Sequence, residues 1–290
     1  MIREIQAKTL LAHVKQPDTW FGLRYNLNLY RGCQHQCIYC DSRSECYQIE
    51  NFHDVLVKVN ALDLLRDELP RKREKGTIGF GSMSDPYTFA EKQYNLTGQA
   101  LAVIAEHKFP VHLITKSDMV VKDRETLAAI NEVFATVSFT ITTTDDDLAR
   151  QIEPGAPSPS RRLKAMAALR ERGIHAGITL MPVLPFIEDN AANITQIVTQ
   201  AADHGAEYIL ASFGMTLRDR QRAYYYDQLD RHFPGVRAQY ERRFGNHYSC
   251  AALRSDQLWE LFKDLCERYS LSTQVSRYIP PVQPTQLALL

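Results

Sequence analysis

Three cysteines, Cys33, Cys37 and Cys40, stand within eight residues in the spacing C-x3-C-x2-C. No other run constrains the chain as strongly. Thiolates this close can surround one metal centre without help from distant sequence. Structural zinc sites and most iron–sulfur sites recruit a fourth protein ligand. A triad leaves one position for something other than protein, and an open position is where metal sites do chemistry. A disulfide framework does not suit a 290-residue chain whose first residues, MIREIQAKTLLAH, contain no apolar signal core. A zinc ribbon would pair two short cysteine motifs, whereas Cys46, Cys250 and Cys266 are scattered; zinc nonetheless remains the main alternative metal. Cysteines serving only as small hydrophobes would not be interleaved with Gly32, Gln34, His35 and Gln36, which make a polar loop.

The chain around this loop has a regular rhythm. Residues 25–30 alternate and predict a strand that delivers the chain into the cysteines. Residues 55–69 predict a helix, with Val55, Val59, Leu62, Leu65 and Leu69 on one face and Pro70 ending it. Strands are then expected at 77–81, 111–115, 136–142, 174–180 and 207–213. Helices are expected at 97–107 (capped by Thr97), 123–134, 160–172 and 193–204, with helical segments continuing to about Tyr240. Strands alternating with helices predict a parallel sheet with right-handed crossovers. Six such units fall short of the eight of a closed barrel. The expected fold is therefore an open partial (β/α)6 TIM-like barrel over residues 25–233. An irregular lead-in, residues 1–24, precedes it, punctuated by Pro17 and Gly22. A short, mostly helical extension, residues 234–290, packs on the barrel. It holds an amphipathic helix at 257–269 with Cys266 turned to the core, and a tail without period at 276–290 that packs as an arm or frays.

Composition is that of an ordinary globular chain, 44% hydrophobic and 23% charged. Thirty-four basic and thirty-four acidic residues cancel, so no global field draws it to nucleic acid or anionic membrane. The local basic runs at Arg71–Arg73, 161–162, 218–222 and 242–243 read as solvated helix faces. No stretch reaches the ~18 apolar residues of a membrane span, and a cytoplasmic protein is expected.

In parallel α/β folds, ligands sit at the carboxyl ends of the strands. That rule selects residues 82–87, Lys116, residues 140–144, Met181, Pro182 and residues 212–214. Lys116 ends an apolar strand, where its ammonium would be half-buried unless an anion lies nearby; otherwise it snorkels to the surface.

The stretches NLYRGCQHQCIYC, VKVNALDLLRDEL, GSMSDPYTFAEK, ITKSDMVVKD and QIEPGAPSPSRRLKAM resemble the spore photoproduct lyase branch of the radical SAM superfamily and its uncharacterised bacterial and archaeal relatives. The likeness runs from about residue 25 to 190. It implies a 4Fe–4S cluster held by Cys33, Cys37 and Cys40. It also implies S-adenosylmethionine (SAM) on the fourth iron, contacted by Tyr39 on its adenine side, by Ser84 and Lys116 at its carboxylate, and by Thr140. The implied activity is reductive cleavage of SAM to a 5′-deoxyadenosyl radical that abstracts a hydrogen atom from a substrate, with a reductant such as flavodoxin or ferredoxin. The open six-unit barrel is the fold of that superfamily.

This sequence departs from the lyases at Thr140, where they have a serine able to make the same hydroxyl contact, and more sharply in two other places. Ser82-Met83-Ser84-Asp85 stands where they have Cys-Thr-Ser-Asp, and the first cysteine is their hydrogen-atom donor. A serine O–H is too strong to serve. Asp41 stands where a tyrosine is usual. If a protein donor is needed, Cys46, Tyr87 and Cys250 are the candidates. Tyr224, Tyr225 and Tyr226 are consecutive on a helix and point in different directions, so they do not form one stacking platform. Two rival functions remain: repair or modification of nucleic acid in the manner of the lyases, and electron transfer by a non-catalytic cluster protein. A continuous basic face at the barrel mouth would favour the first, and a blocked strand-end pocket would favour the second.

Overall fold

The computed structural model describes residues 1–16, 19–49, 51–52 and 54–280; Pro17 and the tail from residue 281 lie outside them. The lead-in is not irregular. It supplies β1 (Ile2–Ile5) and β2 (Leu11–His13), followed by β3 (Leu23–Leu27) and the short β4 (Tyr30–Arg31) that enters the cysteine loop. The segment expected as one helix divides into β5 (Val55–Lys58) and α1 (Ala61–Glu68). Val55 and Val57 are buried while Leu56 and Lys58 are less so, a period of two. β5 pairs parallel with β1 and antiparallel with β4 in a small sheet.

Then come β6 (Thr77–Phe80), α2 (Glu91–Tyr94), α3 (Leu96–Glu106), β7 (Val111–Thr115), α4 (Arg124–Asn131) and β8 (Ala135–Thr140). They are followed by α5 (Asp146–Ile152), α6 (Pro159–Arg170), β9 (His175–Leu180), α7 (Ala191–Asp203) and β10 (Ile209–Ala211). Thr97 does not cap α3. The buried Glu91 carboxylate accepts the Thr97 and Gly98 N–H groups at 3.1 and 3.3 Å, while the Thr97 hydroxyl donates to Pro86 O at 2.5 Å.

β3, β6, β7, β8, β9 and β10 are the six expected strands. They lie side by side and parallel, and β2 closes one edge antiparallel to β3. The sheet keeps two edges, so it is an open barrel of the TIM-like kind and not a closed one. β6 and β8 are buried along their whole length. That is expected of parallel strands covered on both faces, which need apolar side chains in both directions.

The chain continues through β11 (Gly214–Thr216), α8 (Asp219–His232), α9 (Val236–Phe244), β12 (Ser249–Ala251) and α10 (Ser255–Arg268). β11 and β12 form an antiparallel pair, and α10 packs on α7 with Cys266 buried. Leu229, Tyr225, Tyr226, Tyr240, Phe244 and Cys250 share a second core with Cys37, Ile38 and Tyr39. The C-terminal elements are thus packed directly onto the cysteine loop. Among the described residues, no helix is long and apolar enough to cross a membrane.

Candidate functional site

The cysteine loop is fixed by backbone contacts that only glycine allows. Gly32 has φ +81°, and a Cβ there would lie 2.1 Å from Asp54 O. Gly155, in the turn after α5, approaches so closely that its Cβ would lie 2.1 Å from Gln34 O, and its N–H donates to His35 O at 2.9 Å. The arginines at the start of α8 clamp the loop's far side. Arg218 pairs with Asp41 at 2.5 Å, and Arg220 donates to Arg43 O at 2.6 Å and Ile49 O at 2.5 Å. Arg218 and Arg220 are therefore spent on the loop, and Arg222 on the carbonyls of Leu217, Gly245 and His247, so the run is not a solvated face. Asp41 thus binds an arginine of the C-terminal elements.

The loop and the carboxyl ends of β6 to β10 enclose a cavity of about 500 Å³, within the range of small-molecule sites. Cys33, Cys37 and Cys40 line it together with Tyr39, Ser84, Lys116 and Thr140. The seven positions singled out for cluster and SAM, scattered over about a hundred residues of sequence, share one chamber. Among the described residues no three His, Cys, Asp or Glu side chains converge on a single metal ion. A cluster takes one thiolate per iron and is larger than such a site.

Lys116 is not without an anion. Its Nζ lies 3.9 Å from Oε1 of Glu153, whose side chain is 1% exposed. The same carboxylate meets Arg162, also 1% exposed, at 2.5 Å, and accepts a hydrogen bond from the Tyr39 hydroxyl. Arg162 donates further to Pro157 O at 2.7 Å and Thr140 O at 2.8 Å. Burial opposes ionisation of Glu153, but Arg162 and Lys116 outweigh it and hold its carboxyl below the usual range. Reading the 161–162 run as a solvated face is therefore wrong for Arg162, and Glu153 was not anticipated. At 3.9 Å Lys116 is attracted but not hydrogen-bonded to Glu153, and its ammonium keeps donors free for a ligand.

His35 is buried, with Nδ1 3.3 Å from Asp85 Oδ2. Asp85 also accepts from the Thr115 hydroxyl and the Lys116 N–H, both at 2.7 Å. Burial opposes charge on Asp85, yet His35 and these donors lower its pKa to about 2. Burial also opposes charge on His35, but Cys33 and Asp85 raise its pKa to about 10. The His35–Asp85 pair ties the cysteine loop to the end of β7.

The three candidate hydrogen-atom donors do not reach the cavity. Tyr87 is fully buried and donates to Asp123 at 2.9 Å. Cys250 is buried in the second core, and Cys46 is exposed outside it. Ser82 does line the cavity, as do Met83, Met181 and Met215. Tyr225 and Tyr226 are buried and Tyr224 points elsewhere, so the three do not stack together.

The donor set fits the implied cofactors. The Ser84 hydroxyl is buried and, among the described residues, has no hydrogen-bond partner, although it faces a chamber with a lysine ammonium and three thiols. A ligand carrying a carboxylate would satisfy both Ser84 and Lys116.

Sequence and structure comparisons agree with this geometry. The radical SAM superfamily model matches residues 27–198, more than half of the chain. An uncharacterised protein of Mycobacterium tuberculosis is 30% identical over 276 residues, covering 92% of this chain and 80% of its own. An uncharacterised protein of Methanocaldococcus jannaschii is 33% identical over 191 residues, covering 65% and 70%. Spore photoproduct lyase complexed with dinucleoside spore photoproduct superposes with a TM-score of 0.69 at 14% identity, covering 92% of this chain and 79% of that one. A variant of that lyase with bound AdoMet and the dinucleoside gives a TM-score of 0.67. At this identity the lyases share the fold, and the family model with the sequence relatives carries the assignment: the chain belongs to the radical SAM superfamily.

Proposed function

We propose that Cys33, Cys37 and Cys40 hold a 4Fe–4S cluster, and that the cavity beside them binds SAM for reductive cleavage and hydrogen-atom abstraction from a substrate. The observation that carries this reading is the meeting of three thiols, the Lys116 ammonium and a Ser84 hydroxyl unpaired among the described residues, in one chamber. When bound, the cluster supplies one electron to the SAM sulfonium, and the cleaved cofactor supplies the hydrogen-atom acceptor.

The chain's own residues position and shield. Lys116 and Ser84 take the carboxylate of SAM. Tyr39, its hydroxyl fixed by Glu153, presents its ring as a wall on the adenine side. Thr140 adds a hydroxyl already aligned by Thr179 at 3.1 Å. Met83, Met181 and Met215 add apolar surface to a wall that also carries the Ser82 and Ser212 hydroxyls. The second core packs against the loop and backs the chamber on that side.

The rival readings fare worse. An open chamber with Lys116 turned into it has no use in a protein that only passes electrons. The basic run at α8 is engaged with carbonyls and Asp41, so it offers no free face to a phosphate backbone. The test is anaerobic preparation followed by iron assay and incubation with SAM and a one-electron reductant. About four irons per chain and slow formation of 5′-deoxyadenosine are expected. Cys33→Ala, Cys37→Ala and Cys40→Ala should each lose the cluster, while Cys266→Ala keeps it. A colourless zinc protein from an iron-replete preparation would refute the proposal.

A further inference from the structure

Arg43 is a buried cation whose place the proposed reaction leaves unexplained. It follows the third cysteine by three residues, and its N–H bonds Cys40 O at 3.2 Å. The side chain is 6% exposed. Its guanidinium lies over two aromatic rings, 3.6 Å from the Tyr224 centroid and 4.3 Å from that of Phe52. One nitrogen donates to Gln36 Oε1 at 2.8 Å, and Nε has no partner among the described residues. Among those residues it pairs with no carboxylate, and Phe52, on which it stacks, shares a buried cluster with Cys33 against which Cys40 packs. Burying a guanidinium without a counter-charge is costly, and aromatic faces recover only part of that cost.

We infer that Arg43 is an electrostatic positioning residue for the cluster, a fixed positive charge that stabilises its reduced state and raises its reduction potential. The inference rests on the cluster proposed above. Three thiolates leave a 4Fe–4S centre anionic, and reduction adds one more negative charge. A permanent cation held in a region of low polarity favours that addition. Arginine suits the task because it stays charged when buried and stacks on rings by both faces. Tyr224 and Phe52 exclude the water that would otherwise screen it.

The experiment is an EPR-monitored redox titration of the anaerobic protein without SAM, with iron content measured alongside. Arg43→Met removes the charge and keeps the bulk. It should lower the potential by about 59 mV or more, a tenfold fall in the ratio of reduced to oxidised cluster at fixed potential. Arg43→Lys should recover most of that shift. Tyr224→Leu alters a half-buried helix position; by admitting water it should shift the potential in the same direction by less. If Arg43→Met cannot assemble a cluster, Tyr224→Leu and Arg43→Lys still decide the matter. Variants with native iron content and unchanged potential would overturn the role of Arg43 while leaving the cluster in place. Native protein that binds no cluster would overturn both readings, and the iron assay separates the two outcomes.

Discussion

Replacing Glu153 by glutamine removes the charge at the centre of the Lys116–Glu153–Arg162 group without changing its shape. Glu153 and Arg162 are both 1% exposed and 2.5 Å apart. Breaking a buried pair by neutralising one partner costs about 3–5 kcal/mol, because the other charge is left uncompensated. Arg162 would retain Pro157 O at 2.7 Å and Thr140 O at 2.8 Å as neutral acceptors. Tyr39 can turn its hydroxyl to accept from the new amide. These partners place the expected loss near the lower end, about 3 kcal/mol, or a fall in Tm of roughly 6–12 °C. The assay is urea and thermal unfolding of the metal-free anaerobic chain as four proteins: native, Glu153→Gln, Arg162→Met and the double variant. Removing both charges should recover at least half of the loss, since the orphan charge that remains, Lys116, is 17% exposed rather than fully buried. A loss under about 1 kcal/mol for Glu153→Gln, or strict additivity in the double variant, would refute the view that the pair is a coupled buried unit.

Three further perturbations bear on the site. Lys116→Ala should weaken SAM binding by about 1.5–3 kcal/mol, the range for a hydrogen bond to a charged group, with iron content intact; calorimetry showing unchanged affinity would remove Lys116 from the SAM site. Gly155→Ala should push the turn off the cysteine loop, costing about 1–3 kcal/mol and lowering iron occupancy, because its Cβ would lie 2.1 Å from Gln34 O; full occupancy would mean the turn yields freely. The native protein should not repair spore photoproduct in DNA cleanly, and neither should Ser82→Cys; chromatography showing ordinary thymine from either protein would restore the lyase reading.

Much of this architecture was legible because it rests on local pattern. Six apolar strands at even spacing fix the sheet, and a C-x3-C-x2-C run can serve one centre whatever surrounds it. The strand-end rule selects Ser84, Lys116 and Thr140, and all three line the chamber. What stayed hidden depends on long-range pairing. VLVK reads equally well as the first turn of a helix, and it becomes β5 because β1, more than fifty residues earlier, supplies a parallel partner. Asp41 and Arg218 meet across 177 residues, so the α8 arginines looked like a solvated face. Glu153 and Arg162 lie on either side of a Pro-Gly turn, where no helical spacing marks them as a pair. For Cys46 the reverse holds: closeness in sequence to the cysteines sets it near the loop but not in the chamber lining.

The central claim is that the three thiols hold a cluster with an open iron to which SAM binds beside Lys116. The most direct measurement is the EPR spectrum of the anaerobically reconstituted, reduced protein, recorded without and with SAM. A 4Fe–4S signal whose g-values shift on SAM addition, with the shift weakened in Lys116→Ala, is the predicted result. A cluster signal that ignores saturating SAM would contradict the account, leaving a cluster protein without the cofactor site argued here.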